Sequence, residues 1–177
     1  MTYCISRPGI TFNEVDLSGR GLPEQFHARM EGFYLQPAEL CVDAGAAFAA
    51  GVLVLACIDA LARIQIGGGV GERFKALVAK ELSSFKSNGK AARLYEEFRN
   101  GLIHEARIKK GAQFSLQFDT TITEIDGVLV INPRGLIHEV REALVKYLKG
   151  LQENSESITR LMAVLKEDHE DDFRFQR

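Results

Sequence analysis

Arg99, Asn100 and His104 stand together in one short segment, Phe98 to Ile108 (FRNGLIHEARI). Their types and order suit work on a phosphate ester. An arginine presents a fixed fork of N–H donors that matches phosphate oxygens, and it is always charged. Aimed at a phosphate whose charge grows during reaction, Arg99 would stabilise the transition state. Histidine titrates near neutral pH, so His104 could accept or deliver the proton. Asn100, one helical turn before His104, could hydrogen-bond the imidazole and fix its tautomer. A plainer reading pairs Arg99 with Glu96 or Glu105 and leaves His104 as a half-buried helix residue.

The segment must be a helix for these residues to meet. Asn100 and His104 are four apart and share a face. Glu96 and Arg107 extend that stripe, while Tyr95, Phe98 and Leu102 mark an opposite, apolar one. Arg99 and His104 are five apart, about 140° around an ideal helix. Arg99 therefore needs its full reach, or a second copy of the helix, to approach His104. Gly101 costs roughly 1 kcal/mol of helix propensity relative to alanine, which implies that another backbone passes close by. We expect two motif helices to cross there, the alternative being a neighbouring helix of the same chain.

The string Arg99-Asn100, spacer, His104 resembles the signature of the HEPN superfamily, helical-bundle domains many of which are ribonucleases. Its setting matches, with a long apolar helix upstream and an amphipathic one downstream, and the resemblance covers about Pro23 to Lys166. Arg20 to His27 fits the loosest spacing but lies in a Gly/Pro loop with no polar residue after the arginine. The resemblance implies a metal-independent endoribonuclease working through the ribose 2′-hydroxyl; DNA, which lacks that nucleophile, would not be cut. It also implies a two-fold dimer whose composite groove gathers two arginines and two histidines, and a defence or toxin–antitoxin setting with an antitoxin partner. Arg99, Asn100 and His104 would be catalytic. Arg93, Arg107, Lys109 and Lys110 are candidate RNA contacts. No cofactor and no metal are expected. The alternative is a non-catalytic HEPN-like module that binds RNA, a nucleotide or a protein.

The charge distribution agrees with a local cleft. The net charge is −2, yet residues 72–110 carry ten Lys/Arg against five Asp/Glu, whereas the stretches on either side are acidic. The functional reading of that basic third is a footprint for a phosphate backbone; the structural one is a solvated helical pair. Three cysteines (Cys4, Cys41, Cys57) without metal-like spacing read as free thiols in a reducing cytoplasm. The uncharged run Ala44 to Ile58 is too short to span a bilayer comfortably and reads as a buried helix. No secretion leader is evident, so a cytoplasmic protein without membrane contact is expected.

The elements follow from punctuation and periodicity. Residues 1–22 read as an arm, 23–166 as a HEPN-like helical domain and 167–177 as an acidic tail. Helices are expected from Pro23 to Tyr34, Pro37 to about Ile64, Glu72 to Phe85 and Lys90 to Lys110. Gly67 to Gly71 reads as a flexible connection and not a phosphate loop, because no strand precedes it and no Gly-Lys-Ser/Thr follows. Alternation from Phe114 and the Asp126-Gly127 turn predict a small antiparallel hairpin or three-stranded sheet at about 113–132. Asn132-Pro133 caps a further helix, and a last one runs from Ser155 to Lys166. The fold class is therefore mainly α, an up-and-down helical bundle of HEPN-like type with a β-hairpin insertion. The string GLIHE recurs at Gly135–Glu139 without the asparagine and with a shorter spacer. His138 there reads as a surface or interface residue, and His169 in the tail as solvated and not metal-binding.

Overall fold

The computed structural model describes residues 21–168, Asn88 and Ala106 excepted, with no side-chain description of Ile103, His104 and Asp168. Cys4, the arm up to Arg20 and the tail from His169 lie outside the described residues. The protein is mainly helical with one small sheet. It divides into two compact units, one of residues 21–33 and 144–168 and the other Tyr34–Ala143.

In the first unit, α1 (Leu22–Met30) places Leu22, Phe26 and Met30 on one buried stripe at helical spacing. The end of α7 (Pro133–Glu153) contributes Leu144 and Leu151, and α8 (Ser155–Asp168) contributes Leu161 and Leu165. The Tyr147 ring meets Phe26 edge-on at 6.1 Å. Asn154 starts α8, its Oδ1 accepting the Glu156 N–H at 2.9 Å.

The second unit begins with a departure from the expected boundaries. No break occurs before Pro37. A π-helical turn (Glu31–Leu35) leads without interruption into α2 (Gln36–Asp43). Pro37 has no N–H for the carbonyl one turn back, and the widened turn just upstream takes up that loss. The break falls instead at Gly45, whose φ of 76° is left-handed, and α3 (Ala47–Gln65) follows, packed against α2. Ala50, Val54, Ile58 and Leu61 of α3 are fully buried, but Phe48 and Ala49 are exposed, so the helix is less enclosed than its composition suggests. α3 alone among the described helices is long and apolar enough to cross a membrane, and half of it is buried.

Next come α4 (Val70–Glu81), which takes in the last glycine of the Gly-rich stretch, and a 3₁₀ turn (Ser83–Phe85). The motif helix is α5 (Lys90–Arg93), a π-helical segment (Leu94–Arg99) and α6 (Asn100–Glu105) in direct succession. It ends at Glu105, not Lys110. Beyond it the chain folds back, so that the Lys109 N–H reaches the Glu97 carbonyl at 2.7 Å. Lys110 and Gly111, with φ of 54° and 72°, complete the reversal.

The sheet has the order β1-β3-β2, from β1 (Gln113–Phe114), β2 (Ile122–Ile125) and β3 (Val128–Ile131). β2 and β3 form the expected antiparallel hairpin, Ile125 opposite Val128. Asp126 and Gly127 both have positive φ (50° and 78°), the geometry a two-residue I′ turn requires. β1 pairs parallel to β3, an addition to the expected antiparallel insertion. Phe114 ties the sheet to the helices. Its ring lies 4.9 Å from that of Phe98 and fills the space where a Cβ on Gly51 would come within 2.2 Å. Asn132 opens α7 as expected, its Oδ1 accepting the Arg134 N–H at 2.9 Å.

Candidate functional site

Arg99 is the last residue of the π-helical segment, and its side chain reaches α3. Nε donates to Asp59 Oδ2 at 2.8 Å, and the guanidinium carbon sits 5.6 Å from the centre of the Tyr95 ring. Neither Glu96 nor Glu105 is its partner. The pair is largely covered, with Arg99 14% and Asp59 23% exposed at the side chain. Val52, Leu55, Ala56 and Leu102 line a small apolar recess beside it, of about 50 Å³. The two terminal guanidinium nitrogens have no partner among the described residues.

Tyr95 carries a second cation. Lys75 Nζ lies 5.5 Å from the ring centre, and it has no acidic partner among the described residues. The ring itself fits because Gly71 has no side chain: a Cβ there would come within 2.9 Å of it. Thus one glycine of the Gly-rich connection has a packing role. Asn100 opens α6, and its side chain makes no hydrogen bond among the described residues. The backbone of His104 belongs to the same helix, one turn on; its side chain lies outside the described residues.

Arg93, expected as an RNA contact, is built into the fold instead. Nε and an Nη bond both oxygens of Glu97 at 2.8 and 3.1 Å, the other Nη bonds Glu124 at 3.1 Å, and Gly127 O accepts at 2.8 Å. With every nitrogen engaged, Arg93 braces the motif helix against the hairpin. Arg107, Lys109 and Lys110 lie on the reversal after the helix and not on its Asn100 stripe. Arg107 meets Glu105 at 2.6 Å, Lys109 bonds the same carboxylate, and Lys110 stands 3.8 Å from Glu97. The Lys109 hydrogen bond and then the Arg107 charge hold the Glu105 carboxyl below the usual range. Arg107 and Lys110 nonetheless remain open to solvent, at 64% and 72%. Much of the positive charge of residues 72–110 is therefore matched locally.

Gly101 is explained within its own chain. A Cβ there would come within 2.2 Å of the Arg107 carbonyl oxygen and 3.1 Å of Lys109 Cγ. The returning backbone occupies the space that a neighbouring helix was expected to fill. The second GLIHE string has other duties. Glu139 is buried and accepts the Ser84 N–H at 3.1 Å and its hydroxyl at 2.5 Å. His138 is exposed, 3.5 Å from Glu142. It borders a polar cleft of about 280 Å³ between α2 and the start of α7. That cleft is bridged by Arg141–Glu39 at 2.6 Å and Arg134–Asp43 at 3.7 Å.

Asp59, Tyr95 and Lys75 were not singled out as site residues from the sequence. Asp59 had a signal: a carboxylate closing an apolar helical run must find a cation or stay near water. Lys75 had none, because its place over Tyr95 depends on how α4 meets the motif helix. Among the described residues, no three His, Cys, Asp or Glu side chains are grouped to hold a metal ion. Comparison with protein-family models, with curated proteins and with solved structures gives no match.

Proposed function

We propose that this chain is a HEPN-type, metal-independent endoribonuclease that cleaves RNA through the ribose 2′-hydroxyl. The observation that carries the reading is Arg99: fixed through Nε, with its terminal nitrogens unpaired among the described residues, five residues before His104 on the same helical run. In this mechanism Arg99 grips the scissile phosphate and stabilises its added charge. His104 moves the proton, and Asn100, one turn earlier, orients the imidazole. Lys75, Arg107, Lys109 and Lys110 supply cations for the flanking backbone. A two-fold dimer would give the cleft a second histidine, so that one acts as base and the other as acid. The defence or toxin–antitoxin setting, with a neutralising partner, belongs to the same proposal and follows from the family resemblance.

The test is incubation of the purified protein with mixed RNA in chelator, beside His104→Ala and a 2′-deoxy oligonucleotide. RNA cleavage by wild type, lost in His104→Ala and absent on the deoxy strand, is the expected result. Equal degradation by both proteins would exclude His104. The alternative, a non-catalytic binding module, draws support from the exposed apolar side chains Leu40 and Phe48 around the α2–α3 turn. In that case RNA stays intact with either protein.

A further inference from the structure

Two arginines of the motif helix differ in a way that bears on the site. Arg93 spends all its nitrogens on the fold. Among the described residues, Arg99 spends only Nε, on Asp59 of α3. The Tyr95 ring lies beneath its guanidinium, and Leu102 with Val52, Leu55 and Ala56 walls one side. A free arginine side chain must lose much rotamer freedom before it can grip an anion with two parallel bonds. Here that ordering has already occurred, and the edge left open is the terminal fork that matches two oxygens of a phosphate.

We propose that Asp59 is the positioning residue for Arg99, anchoring its Nε so that the terminal amino groups stand ready as a fork for a phosphodiester oxyanion. This rests on the ribonuclease reading for the identity of the anion, but the anchoring can be measured without cleavage. A carboxylate beside an anion site also repels the anion. If repulsion were all that Asp59 did, removing its charge would tighten anion binding. Positioning predicts the opposite sign. Asp59 Oδ1 is buried without a hydrogen-bond partner among the described residues, so the carboxylate itself depends on the guanidinium it holds.

The experiment uses the full chain, with the Arg99 Nε–H resonance identified as the one missing in Arg99→Lys. In wild type that proton exchanges slowly, and the resonance shifts on titration with inorganic phosphate and with an uncleavable 2′-deoxy oligonucleotide. Asp59→Asn broadens it into rapid exchange and weakens binding of the oligonucleotide roughly tenfold. Asp59→Glu keeps the charge but displaces the carboxylate by one methylene, and gives the same loss. Its cleavage rate falls on the order of a hundredfold, and its KM rises with the weaker binding. An unchanged Arg99 signal in both variants, tighter anion binding by Asp59→Asn, or no phosphate-induced shift in wild type each overturns the proposal. Absence of RNA cleavage by a wild type that still binds the oligonucleotide through Arg99 removes the ribonuclease reading and leaves the positioning role intact.

Discussion

A side chain's partners decide whether its charge is available to a ligand. Arg93 and Arg99 lie six residues apart on one helical run, yet one is closed off by Glu97, Glu124 and the Gly127 carbonyl and the other keeps its fork. The same contrast separates the two GLIHE strings. Glu105 lies at the surface between Arg107 and Lys109, whereas Glu139 is buried and accepts two hydrogen bonds from Ser84. Ser84→Ala removes the hydroxyl donor and leaves a buried carboxylate oxygen without it. Loss of about 1–3 kcal/mol of stability is expected, read as a lower urea midpoint at unchanged slope. A midpoint equal to wild type would show that water replaces the hydroxyl at no cost.

Elements here are shaped by close approach as much as by propensity. The π-helical segment that ends at Arg99 widens the motif helix, and the reversal after Glu105 leaves it shorter than its periodicity implies. Gly101 receives the Arg107 carbonyl and Gly51 receives the Phe114 ring. Gly150, inside α7, has nothing within 4 Å of where its Cβ would stand. Three alanine substitutions of one chemical kind should therefore give two signs. Gly101→Ala and Gly51→Ala force neighbours apart and cost roughly 1–3 kcal/mol. Gly150→Ala gains up to about 1 kcal/mol of helix propensity. Thermal unfolding followed by circular dichroism at several dilutions distinguishes them, and the Gly101 loss should not depend on concentration. A loss that grew on dilution would return Gly101 to a contact between two copies.

For the whole molecule, Tyr147 and Glu39 each tie stability to pH. Burial pushes the Tyr147 hydroxyl up to about 12, with Arg160 opposing slightly. A raised value means the unfolded chain releases this proton first. The contribution is complete below about pH 10 and declines as pH rises toward about 12. Tyr147→Phe should flatten that alkaline decline, measured as the urea midpoint between neutrality and high pH; an identical slope would remove Tyr147 as its cause. On the acid side, the Arg141 hydrogen bond holds the Glu39 carboxyl below the usual range. That contribution is present above the unfolded value and fades as pH falls through the lower folded one. Glu39 is half exposed, so solvent screening keeps the effect small.

Periodicity and punctuation determined the parts of this protein that depend on neighbours in the chain. The Asp126-Gly127 turn and the Asn132-Pro133 cap are local, and each was legible because only a few residue types accept those backbone angles or supply that side-chain acceptor. The mainly helical class and the pairing of β2 with β3 follow from the same local rules. Other features needed the tertiary structure. The helix break moved from Pro37 to Gly45 because a π-helical turn absorbs the proline. β1 joined parallel to β3, a pairing across the intervening β2 that no local pattern encodes. In the candidate site, the order of Arg99, Asn100 and His104 was visible as spacing. That Arg99 is held by Asp59, forty residues away in the chain, was not. Nor was the local bracing by Arg93, since one guanidinium can be spent on a phosphate or on the fold, and only the packed neighbours decide which.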